Sequence, residues 1–505
     1  MAVTLGPLDL VVVDSLETAL HTHFGWSRFR AGQRPVVEAV LSGRDALAVL
    51  PTGGGKSLCY QLPALIRGGL VVVISPLVAL MEDQVLQLRR RGIAAACLHA
   101  GLDPARRQQA MAALRDESLR LLYLAPERLQ GEATQRLLET HAAEGRLVAL
   151  AVDEAHCISA WGHDFRPDYR RLGLIRRLCP GVPMLALSAT AAPRVRADIL
   201  RLLDLRSPLV QVSSARRENL RYAMQRRPRD PMPQVLEALE QSRGATLIYA
   251  RTRRSVEHWA ERLQGQSVEA TPYHAGLDPA TRQTALTQFL EQERPVLVAT
   301  VAFGMGVDRG DVGLVLHLDL PSTPEGFLQE SGRAGRDGQP ARCLVLFSPG
   351  DRTSLGWAMQ AAAGQGTTAD ERHRLDLAQQ QLRRMEAVAE GEMCREQALL
   401  LAVGELVDPC GRCDRCSASP KRKDWSRQVT TLLTHLDDLD GTDMRRLGEH
   451  LALHETGQGE RWTWLARRLV QEELIRESND GVQRLQLRDS GRRYLERPWP
   501  LDFAA

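Results

Sequence analysis

The sequence has no large excess of charge of either sign. It contains 65 Lys and Arg against 62 Asp and Glu, a formal net charge of +3, so a nucleic-acid partner must be argued from local clusters. It also lacks a long apolar run, because Ser75 and Pro76 interrupt the longest one, residues 70–81. The N-terminus has no basic segment, and Asp9 and Asp14 interrupt its apolar residues. We therefore expect a cytoplasmic protein without a signal peptide or a membrane partner.

A glycine-rich loop follows the first short apolar run. Residues 46–50 predict a buried strand, and a helix is expected from Leu58 onward. The loop between them consists of Pro51, Thr52, Gly53, Gly54, Gly55, Lys56 and Ser57. Glycines at a helix N-terminus let backbone N–H groups turn toward an anion. We expect Lys56 to bind the β- and γ-phosphates of a nucleotide and Ser57 to ligate Mg²⁺.

One position departs from the strict phosphate-loop pattern. That pattern has a glycine six residues before the lysine, where this chain has Leu50. The variant Thr-Gly-x-Gly-Lys-Ser is the form typical of helicases, so the departure narrows the class of ATPase. The alternative is a flexible glycine turn beside a solvated lysine.

Two adjacent carboxylates follow another apolar run. Residues 147–152 predict a buried parallel strand, and Asp153, Glu154, Ala155 and His156 come directly after it. Asp153 is expected to hold Mg²⁺, and Glu154 to orient and deprotonate the attacking water. His156 either senses the γ-phosphate or has a structural role. An acidic strand end that caps a helix is the alternative, but together with the phosphate loop the pattern predicts an ATPase.

Apolar runs alternate with helical stretches in two series, and a length of 505 residues suggests three or four domains. The runs are residues 70–75, 120–124, 147–152 and 184–188, then 245–249, 296–300, 314–318 and 343–347. This alternation predicts two parallel α/β units. The string His-Ala-Gly-Leu-Asp-Pro-Ala occurs at both 99–105 and 274–280. The repeat suggests a duplicated fold, although such a helix start can also recur by chance.

The second series has no phosphate loop but contains two arginines within residues 329–338, Gln-Glu-Ser-Gly-Arg-Ala-Gly-Arg-Asp-Gly. Because Arg333 and Arg336 are three residues apart, we expect them on one helical face. There they can enter a cleft between the two units and neutralise charge that develops on the γ-phosphate, with Arg336 as the principal finger and Arg333 assisting. A solvated basic helix face is the alternative.

The nine cysteines divide into two groups. Cys410, Cys413 and Cys416 form a Cys-x-x-Cys-x-x-Cys loop, and Cys394 on the preceding helix completes a tetrahedral set for zinc. Four thiolates leave no open position, so a structural zinc site is expected. Free thiols, disulfides and an iron–sulfur cluster are the alternatives. The remaining cysteines lie in apolar contexts and are expected in the core: Cys59, Cys97, Cys157, Cys179 and Cys343.

These motifs, in this order, resemble those of the RecQ family of DNA helicases, in helicase superfamily two. The resemblance covers nearly the whole chain and also includes residues 188–190 (Ser-Ala-Thr) and 300–309 (Thr-Val-Ala-Phe-Gly-Met-Gly-Val-Asp-Arg). It implies an α/β fold of two tandem RecA-like parallel-sheet lobes, followed by a helical zinc-binding subdomain and a small winged-helix domain. The expected boundaries are 1–212, 213–350, 351–424 and 425–505. The implied cofactors are ATP, Mg²⁺ and Zn²⁺.

By the same resemblance, residues 24–33 form an adenine-recognition segment. Gln33 is expected to hydrogen-bond the adenine edge, while Trp26 and Arg30 lie against the two faces of the ring. Thr52 and Gln329 are further expected contacts of the nucleotide. From sequence alone, the phenylalanines of this segment are better candidates for the core.

Residues 157–167 resemble the aromatic-rich loop that couples DNA binding to ATP hydrolysis in this family. Trp161 and Phe165 are expected to stack on unpaired bases, and Arg166 to lie near the DNA phosphates. Because the loop directly follows Glu154, base stacking could reposition the catalytic carboxylate. The alternative is an aromatic loop that packs against the neighbouring lobe.

A small C-terminal unit follows a charged linker at residues 417–424. Trp462, Leu465, Leu469 and Val470 form an apolar helix stripe, and residues 474–487 predict a hairpin that turns at Asn479, Asp480 and Gly481. The arrangement resembles the winged helix that the family uses for duplex DNA. The predicted hairpin tip has no aromatic residue to stack on an opened base pair, which argues against a wedge role.

The sequence therefore predicts an ATP-dependent DNA helicase that moves 3′ to 5′ on single-stranded DNA and unwinds duplexes in repair or recombination. The expected partners are single-stranded and duplex DNA and a single-stranded-DNA-binding protein, with a monomeric, nucleoid-associated chain. One alternative is an RNA-remodelling ATPase of the same superfamily. Another is a zinc-containing DNA-binding protein whose ATPase has decayed.

Overall fold

The computed structural model describes residues 14–162, 164–301, 303, 309–363, 368–418, 422–438, 442–454, 459–478 and 484–504. Two helices, α1 (Asp14–Phe24) and α2 (Gln33–Leu41), lead into the first sheet. Among the helices in these ranges, none combines the length and apolarity needed to cross a membrane.

Lobe 1 is a seven-stranded sheet in which all neighbouring strands are parallel. Its strands are β1 (Ala46–Val49), β2 (Leu70–Ile74), β3 (Ala95–Leu98), β4 (Leu121–Leu124), β5 (Leu147–Val152), β6 (Met184–Ser188) and β7 (Leu209–Val212), in the order β3-β4-β2-β5-β6-β1-β7. The helices between them are α3 (Leu58–Arg67), α4 (Val78–Arg90), α5 (Pro104–Arg115), α6 (Glu132–Ala143), α7 (Gly173–Leu178) and α8 (Pro193–Leu202), with short 3₁₀ turns at Pro126–Gln130, Ala155–Ile158 and Pro167–Arg171. Consecutive residues of the central strands are buried, as expected when helices cover both faces of a sheet.

Lobe 2 is a six-stranded parallel sheet. Its strands are β8 (Leu220–Arg226), β9 (Ala245–Tyr249), β10 (Ala270–Tyr273), β11 (Val296–Ala299), β12 (Val312–His317) and β13 (Ala341–Phe347), in the order β10-β11-β9-β12-β13-β8. Its helices are α9 (Met232–Glu240), α10 (Arg253–Gln264), α11 (Pro279–Glu291) and α12 (Pro324–Ser331). All strands predicted from apolar runs are present in the two lobes, so the expected pair of parallel α/β lobes is confirmed.

A helical region follows lobe 2 and shares its core. It contains α13 (Pro349–Ala363), α14 (Ala369–Glu390), α15 (Arg395–Ala402) and α16 (Asp414–Ala418). Leu382 and Met385 of α14 and Leu399 of α15 belong to the same buried cluster as Leu220 and Val345 of lobe 2. A boundary near residue 350 therefore separates two parts that stabilise each other, and not two independent cores.

The C-terminal unit has its own core. It consists of β14 (Arg422–Asp424), α17 (Ser426–Asp438), α18 (Met444–His454), α19 (Gly459–Gln471), β15 (Ile475–Glu477), β16 (Leu485–Leu487), α20 (Asp489–Glu496) and β17 (Asp502–Ala504). Trp462, Leu465 and Leu469 are buried in this core and Val470 packs against it, as the predicted stripe requires. Strands β15 and β16 pair antiparallel, and the predicted turn at 479–481 lies outside the described residues. Residues 422–424 of the expected linker form β14, which pairs with β17.

Buried ion pairs join the C-terminal unit to the helical region. The guanidinium of Arg352 on α13 donates to both carboxylate oxygens of Glu477 on β15, at 2.8 and 2.7 Å, and its Nε lies 2.9 Å from Glu386 on α14. Nε of Arg467 on α19 donates to Glu390 at the end of α14, at 2.9 Å. Each of these residues is less than a tenth exposed.

Candidate active site

The phosphate loop lies at the carboxyl end of β1, immediately before α3. Gly53 and Gly55 have φ angles of 80° and 74°, in the left-handed region that L side chains rarely adopt. The Gly54 N–H donates to the Pro51 oxygen at 2.8 Å, which closes the turn. The backbone therefore requires glycine at these positions, and this supports a formed phosphate loop over a merely flexible segment.

Gln33 uses its whole side-chain amide to hold this loop. Its Nε2 donates to the backbone oxygens of Gly54 at 3.1 Å and Gly55 at 2.9 Å. Its Oε1 accepts a hydrogen bond from the Arg30 N–H at 2.7 Å. Adenine recognition by Gln33 therefore requires it to exchange these bonds for bonds to the base.

The two residues expected beside the adenine ring also have partners within the chain. The Arg30 guanidinium donates to the Gly53 oxygen. Trp26 stacks on Phe24 with the ring centroids 5.4 Å apart, so one face of its indole is covered. Phe24 is buried in the core of lobe 1 and Phe29 packs against that core, as predicted.

The two carboxylates lie at the carboxyl end of β5, and both are less than a tenth exposed. Burial and the neighbouring Glu154 carboxylate raise the pKa of Asp153, and the ammonium of Lys56 opposes that rise. A cation next to Asp153 would reverse this shift, because a nearby positive charge favours the carboxylate. The environment thus fits the predicted magnesium ligand.

His156 connects the carboxylates to the segment 188–190. Its Nδ1 lies 3.3 Å from Glu154 Oε2 and 3.0 Å from the hydroxyl of Ser188. The Ser188 hydroxyl in turn donates to the Thr190 oxygen at 2.7 Å. Glu154 itself has a left-handed backbone, with φ of 47°. These contacts support a positioning role for His156 next to Glu154.

The two arginines do not lie on a helical face, so that prediction is wrong. Helix α12 ends at Ser331, and Arg333 and Arg336 follow it in a turn where Gly335 has φ of 55°. The side chain of Arg336 lies against the phosphate loop: a Cβ added to Gly53 would be 3.5 Å from Arg336 Cγ. The turn that contains Arg333 and Arg336, here called the arginine turn, therefore approaches the phosphate loop of lobe 1, although it is not helical.

Together these elements enclose a cavity of about 760 Å³ between the lobes. All predicted nucleotide and catalytic residues except Gly54 line it: Trp26, Arg30, Gln33, Thr52, Gly53, Gly55, Lys56, Ser57, Asp153, Glu154, Gln329, Arg333 and Arg336. Gly54 belongs to the same loop but does not line the cavity. Of the motif 300–309, residues 302 and 304–308 lie outside the described residues.

Arg217 and Asn219 hold the arginine turn, and the sequence reasoning missed both. The Arg217 guanidinium donates to the oxygens of Ala334 and Gly335, at 3.3 and 2.6 Å. The Asn219 amide donates to the Gly335 oxygen at 2.8 Å. The available signal was the charged string Arg-Arg-Glu-Asn at 216–219, which precedes the second series of apolar runs.

The aromatic loop contacts α14 of the helical region. The guanidinium carbon of Arg194 lies over the Trp161 ring, 3.3 Å from its centroid, and the ring of His373 contacts Trp161 edge-on, with the centroids 6.0 Å apart. The Phe165 centroid lies 5.7 Å from the guanidinium carbon of Arg374. Packing of this loop against a neighbour was the alternative to base stacking, and the contacts allow both, because cationic side chains also attract a nucleic-acid strand.

Arg166 has partners within the protein. Its guanidinium donates to Asp164 Oδ2 at 3.1 Å and to the Pro76 oxygen at 2.8 Å. Contact with a DNA phosphate would compete with the Asp164 bond. In the present geometry Arg166 links the aromatic loop to the segment that follows β2. His163 of the same loop lies outside the described residues.

The four predicted cysteines come together. Their sulfur atoms all lie within 4.8 Å of one another, and those of Cys394 and Cys413 are 3.8 Å apart. A tetrahedral zinc ion with Zn–S bonds of about 2.3 Å requires sulfur atoms about 3.8 Å apart, so the set fits zinc. We expected Cys394 to lie on the helix that precedes the cysteine loop. It is instead the N-cap residue of that helix, α15, one position before the first helical residue. The other five cysteines are buried, as predicted.

Three protein-family models match the chain in order. They are DEAD/DEAH box helicase over residues 30–199, helicase conserved C-terminal domain over 230–338, and RecQ zinc-binding over 349–417. The Bacillus subtilis protein "Probable ATP-dependent DNA helicase RecS" is 40% identical over 344 residues, which are 66% of this chain and 67% of that protein. The Haemophilus influenzae protein "ATP-dependent DNA helicase RecQ" is 39% identical over 409 residues, or 81% of this chain.

The chain belongs to the RecQ helicase family. Its four-cysteine cluster is the zinc site of that family. The chain spans 64% of the length of the Haemophilus influenzae protein. Among solved structures, Mycobacterium smegmatis helicase Lhr, bound to ssDNA and AMP-PNP, has a TM-score of 0.55 at 18% identity, covering 95% of this chain and 61% of that one. That similarity concerns the fold.

Proposed function

We propose that this chain is an ATP-dependent DNA helicase that moves 3′ to 5′ on single-stranded DNA and unwinds duplexes in repair or recombination. The observation that carries the proposal is the cleft between the lobes, where Lys56, Asp153 and Glu154 of lobe 1 meet Arg333 and Arg336 of lobe 2. A nucleotide held by both lobes couples its hydrolysis to their relative movement, which translocation requires.

Each residue in the cleft has a distinct proposed role. Lys56 and the loop N–H groups bind the β- and γ-phosphates, and Ser57 and Asp153 hold Mg²⁺. When bound, Mg²⁺ neutralises charge on the phosphate oxygens. Glu154 orients the attacking water and takes its proton. Arg336, assisted by Arg333, stabilises the charge that develops as the γ-phosphate leaves.

The proposed nucleotide-base contacts are Gln33, Trp26 and Arg30, with Thr52 and Gln329 beside them. DNA is proposed to meet the aromatic loop through Trp161 and Phe165, with Arg166 near the DNA phosphates. The proposed domain boundaries remain 1–212, 213–350, 351–424 and 425–505. The last of these domains, the C-terminal unit, is proposed to be a winged helix that binds duplex DNA.

The two alternative functions have less support. An RNA-remodelling ATPase would share the lobes, but the matched relatives carry DNA-helicase names and the zinc-binding region is that of RecQ proteins. A decayed ATPase is disfavoured because Lys56, Asp153, Glu154 and Arg336 are present and line one cleft. We also propose a monomeric, cytoplasmic, nucleoid-associated protein that cooperates with a single-stranded-DNA-binding protein.

Strand separation on tailed duplexes tests the proposal. Matched duplexes with a 3′ or a 5′ single-stranded DNA tail, and an RNA duplex with a 3′ tail, are incubated with ATP and Mg²⁺. We expect selective opening of the 3′-tailed DNA, and none with Glu154→Gln, which keeps the shape of the side chain but cannot take the proton. Preferential opening of the RNA would support the remodelling ATPase. DNA binding without any ATP turnover would support the decayed enzyme.

A further inference from the structure

The segment between the two sheets is bonded to the zinc-binding region. Residues 213–219 run from β7 of lobe 1 to β8 of lobe 2. Glu405, which follows α15, accepts a hydrogen bond from the Ala215 N–H at 2.9 Å. Glu396 on α15 is buried, and its Oε2 lies 3.6 Å from Nε of Arg216. The path that connects the lobes is therefore held by residues that lie outside both sheets.

Arg412, in the Cys-x-x-Cys-x-x-Cys loop, bonds the backbone at the end of this segment. Its Nε donates to the Leu220 oxygen at 3.1 Å, and its Nη2 donates to the Arg217 oxygen at 3.2 Å. The same Nη2 donates to Oε1 of the buried Glu396 at 2.6 Å, and this charge-assisted bond fixes the orientation of the guanidinium. The backbone N–H of Arg412 donates to the sulfur of Cys410 at 3.5 Å. One residue thus connects a zinc ligand to the start of β8.

Arg217 continues this connection to the arginine turn. Its backbone oxygen accepts the bond from Arg412, and its guanidinium donates to the oxygens of Ala334 and Gly335. The next residue, Arg336, lies against the phosphate loop and lines the nucleotide cavity. A displacement of Arg217 therefore moves the backbone immediately before Arg336. An error of about 1 Å in the position of a group at the reacting atoms can cost about 100-fold in rate.

We propose that Arg412 is a positioning residue for ATP hydrolysis, which holds Arg217 so that the arginine turn presents Arg336 to the γ-phosphate. The inference rests on the proposed function, in which Arg336 stabilises the charge that develops there. Arg412 itself does not line the cavity, so it acts through Arg217 and not on the nucleotide. The zinc-binding loop thereby contributes to the rate of hydrolysis as well as to the stability of the fold.

Steady-state ATP hydrolysis with saturating single-stranded DNA tests this role in the full-length, zinc-loaded chain. Arg412→Ala should lower kcat by about 10- to 100-fold, because the arginine turn loses one of its supports. The KM for ATP should change little, since the phosphate loop is intact. Arg415→Ala is the matched control, because Arg415 lies in the same loop but its guanidinium donates to the Glu390 oxygen at the end of α14. It should hydrolyse ATP like the wild type.

A double substitution separates positioning from a general loss of structure. Arg412→Ala should not lower kcat further in a chain that already carries Arg336→Ala, because the group that Arg412 positions is absent. ADP with aluminium fluoride, which mimics the phosphoryl group in the transition state, should bind Arg412→Ala more weakly than the wild type. ADP alone should bind both equally. Metal analysis should find the same zinc content in the wild type, Arg412→Ala and Arg415→Ala.

Three results would overturn the inference: an unchanged kcat in Arg412→Ala, an equal loss in the wild-type and Arg336→Ala backgrounds, or an equal loss in Arg415→Ala. If Arg412→Ala loses zinc, Arg412→Lys provides the same test. It keeps a cation beside Glu396 but lacks the planar fork that bonds two carbonyls, so it should retain zinc and still lower kcat. A wild type that hydrolyses no ATP in the presence of DNA would contradict the proposed function and, with it, this inference.

Discussion

At the scale of the residue, lysine is almost absent from this protein. Lys56, Lys421 and Lys423 are the only lysines in the sequence, and arginine supplies nearly all of the positive charge. Arginine's planar guanidinium suits the many carboxylate pairs, whereas the compact ammonium suits the narrow space inside a phosphate loop. The presence of lysine at position 56, in a chain that otherwise uses arginine, therefore fits the geometry of a phosphate loop.

We predict that Lys56→Ala reduces DNA-stimulated ATP turnover by at least about 100-fold, because the ammonium stabilises charge on the phosphates. The measurement is steady-state phosphate release with saturating single-stranded DNA. Lys423→Ala is the matched control, since Lys423 is exposed on the β14 strand outside the cleft. Unchanged turnover in Lys56→Ala would show that another site hydrolyses the nucleotide.

Arg336→Ala should reduce the hydrolysis rate by about 10³-fold, the lower range for an arginine that stabilises the phosphoryl transition state. Nucleotide affinity, measured with a fluorescent ATP analogue, should change far less, because the charge develops only during the reaction. Arg342→Ala, on β13 of the same lobe, serves as the control. An equal loss of affinity and rate would assign Arg336 to ground-state binding instead.

At the scale of the element, the strands that escaped prediction are all edge strands. The apolar runs identified every interior strand of both sheets, but not β3 and β7, which border lobe 1, or β8 and β10, which border lobe 2. An edge strand has a neighbour on only one side, and β7, β8 and β10 are partly exposed, so their sequences need not be continuous apolar runs. The residues of β7, for example, alternate between partly buried and exposed. Strand β3 differs, because it is buried throughout and its sequence, Ala-Ala-Cys-Leu, is an apolar run that the prediction missed.

The cysteine loop was predictable because its spacing is local. Backbone N–H groups at residues 410, 412, 413 and 416 point to the sulfur atoms of Cys394, Cys410 and Cys413, at 3.2 to 3.5 Å. Such bonds stabilise thiolates, as metal binding requires. The cluster also lies in the core shared with lobe 2, where Cys413 is fully buried.

We predict that removal of zinc lowers the apparent Tm, because the metal ties the loop into that shared core. Thermal melts with and without a chelator, together with metal analysis of the protein, provide the measurement, and about one zinc ion per chain is expected. Cys413→Ser should reproduce the loss, whereas Cys97→Ser on an edge strand should retain zinc. An unchanged Tm after chelation would show that zinc does not stabilise the fold.

At the scale of the whole molecule, ion pairs join the C-terminal unit to the helical region, and among the described residues no buried apolar cluster includes members of both. Two carboxylates, Glu386 and Glu477, share the guanidinium of Arg352. Burial raises the pKa of Glu386 to about 7, although the charge of Arg352 opposes the rise. Arg467, Arg383 and Glu390 complete the charged surroundings.

This raised pKa predicts a pH-dependent stability. Folding favours the protonated form of Glu386. The contribution of this group to the stability of the fold is therefore fully present below its ordinary pKa of 4.5, and it is lost as the pH rises to about 7. Glu386→Gln should therefore raise the apparent Tm at pH 8 and change it little at pH 4.5. Calorimetric melts across this range test the sign.

Glu371→Gln is the matched control on the same helix. Bonds from Thr368 lower the pKa of Glu371, so its stabilisation is present above its ordinary pKa and is lost at acid pH. Glu371→Gln should therefore lower the apparent Tm slightly at pH 8. A rise in Tm caused by Glu386→Gln that becomes larger toward acid pH would contradict the raised pKa of Glu386.

The sequence by itself determined the chemistry that depends on short spacings: the phosphate loop, the adjacent carboxylates, the cysteine set and the apolar interior strands. Each is local, because a few consecutive residues carry both the backbone geometry and the reactive groups. The tertiary structure decided what depends on distant segments. It placed Arg336 against Gly53 and engaged Gln33 with the phosphate loop. Such contacts arise when lobes pack, and no local pattern encodes the surface that a neighbour covers.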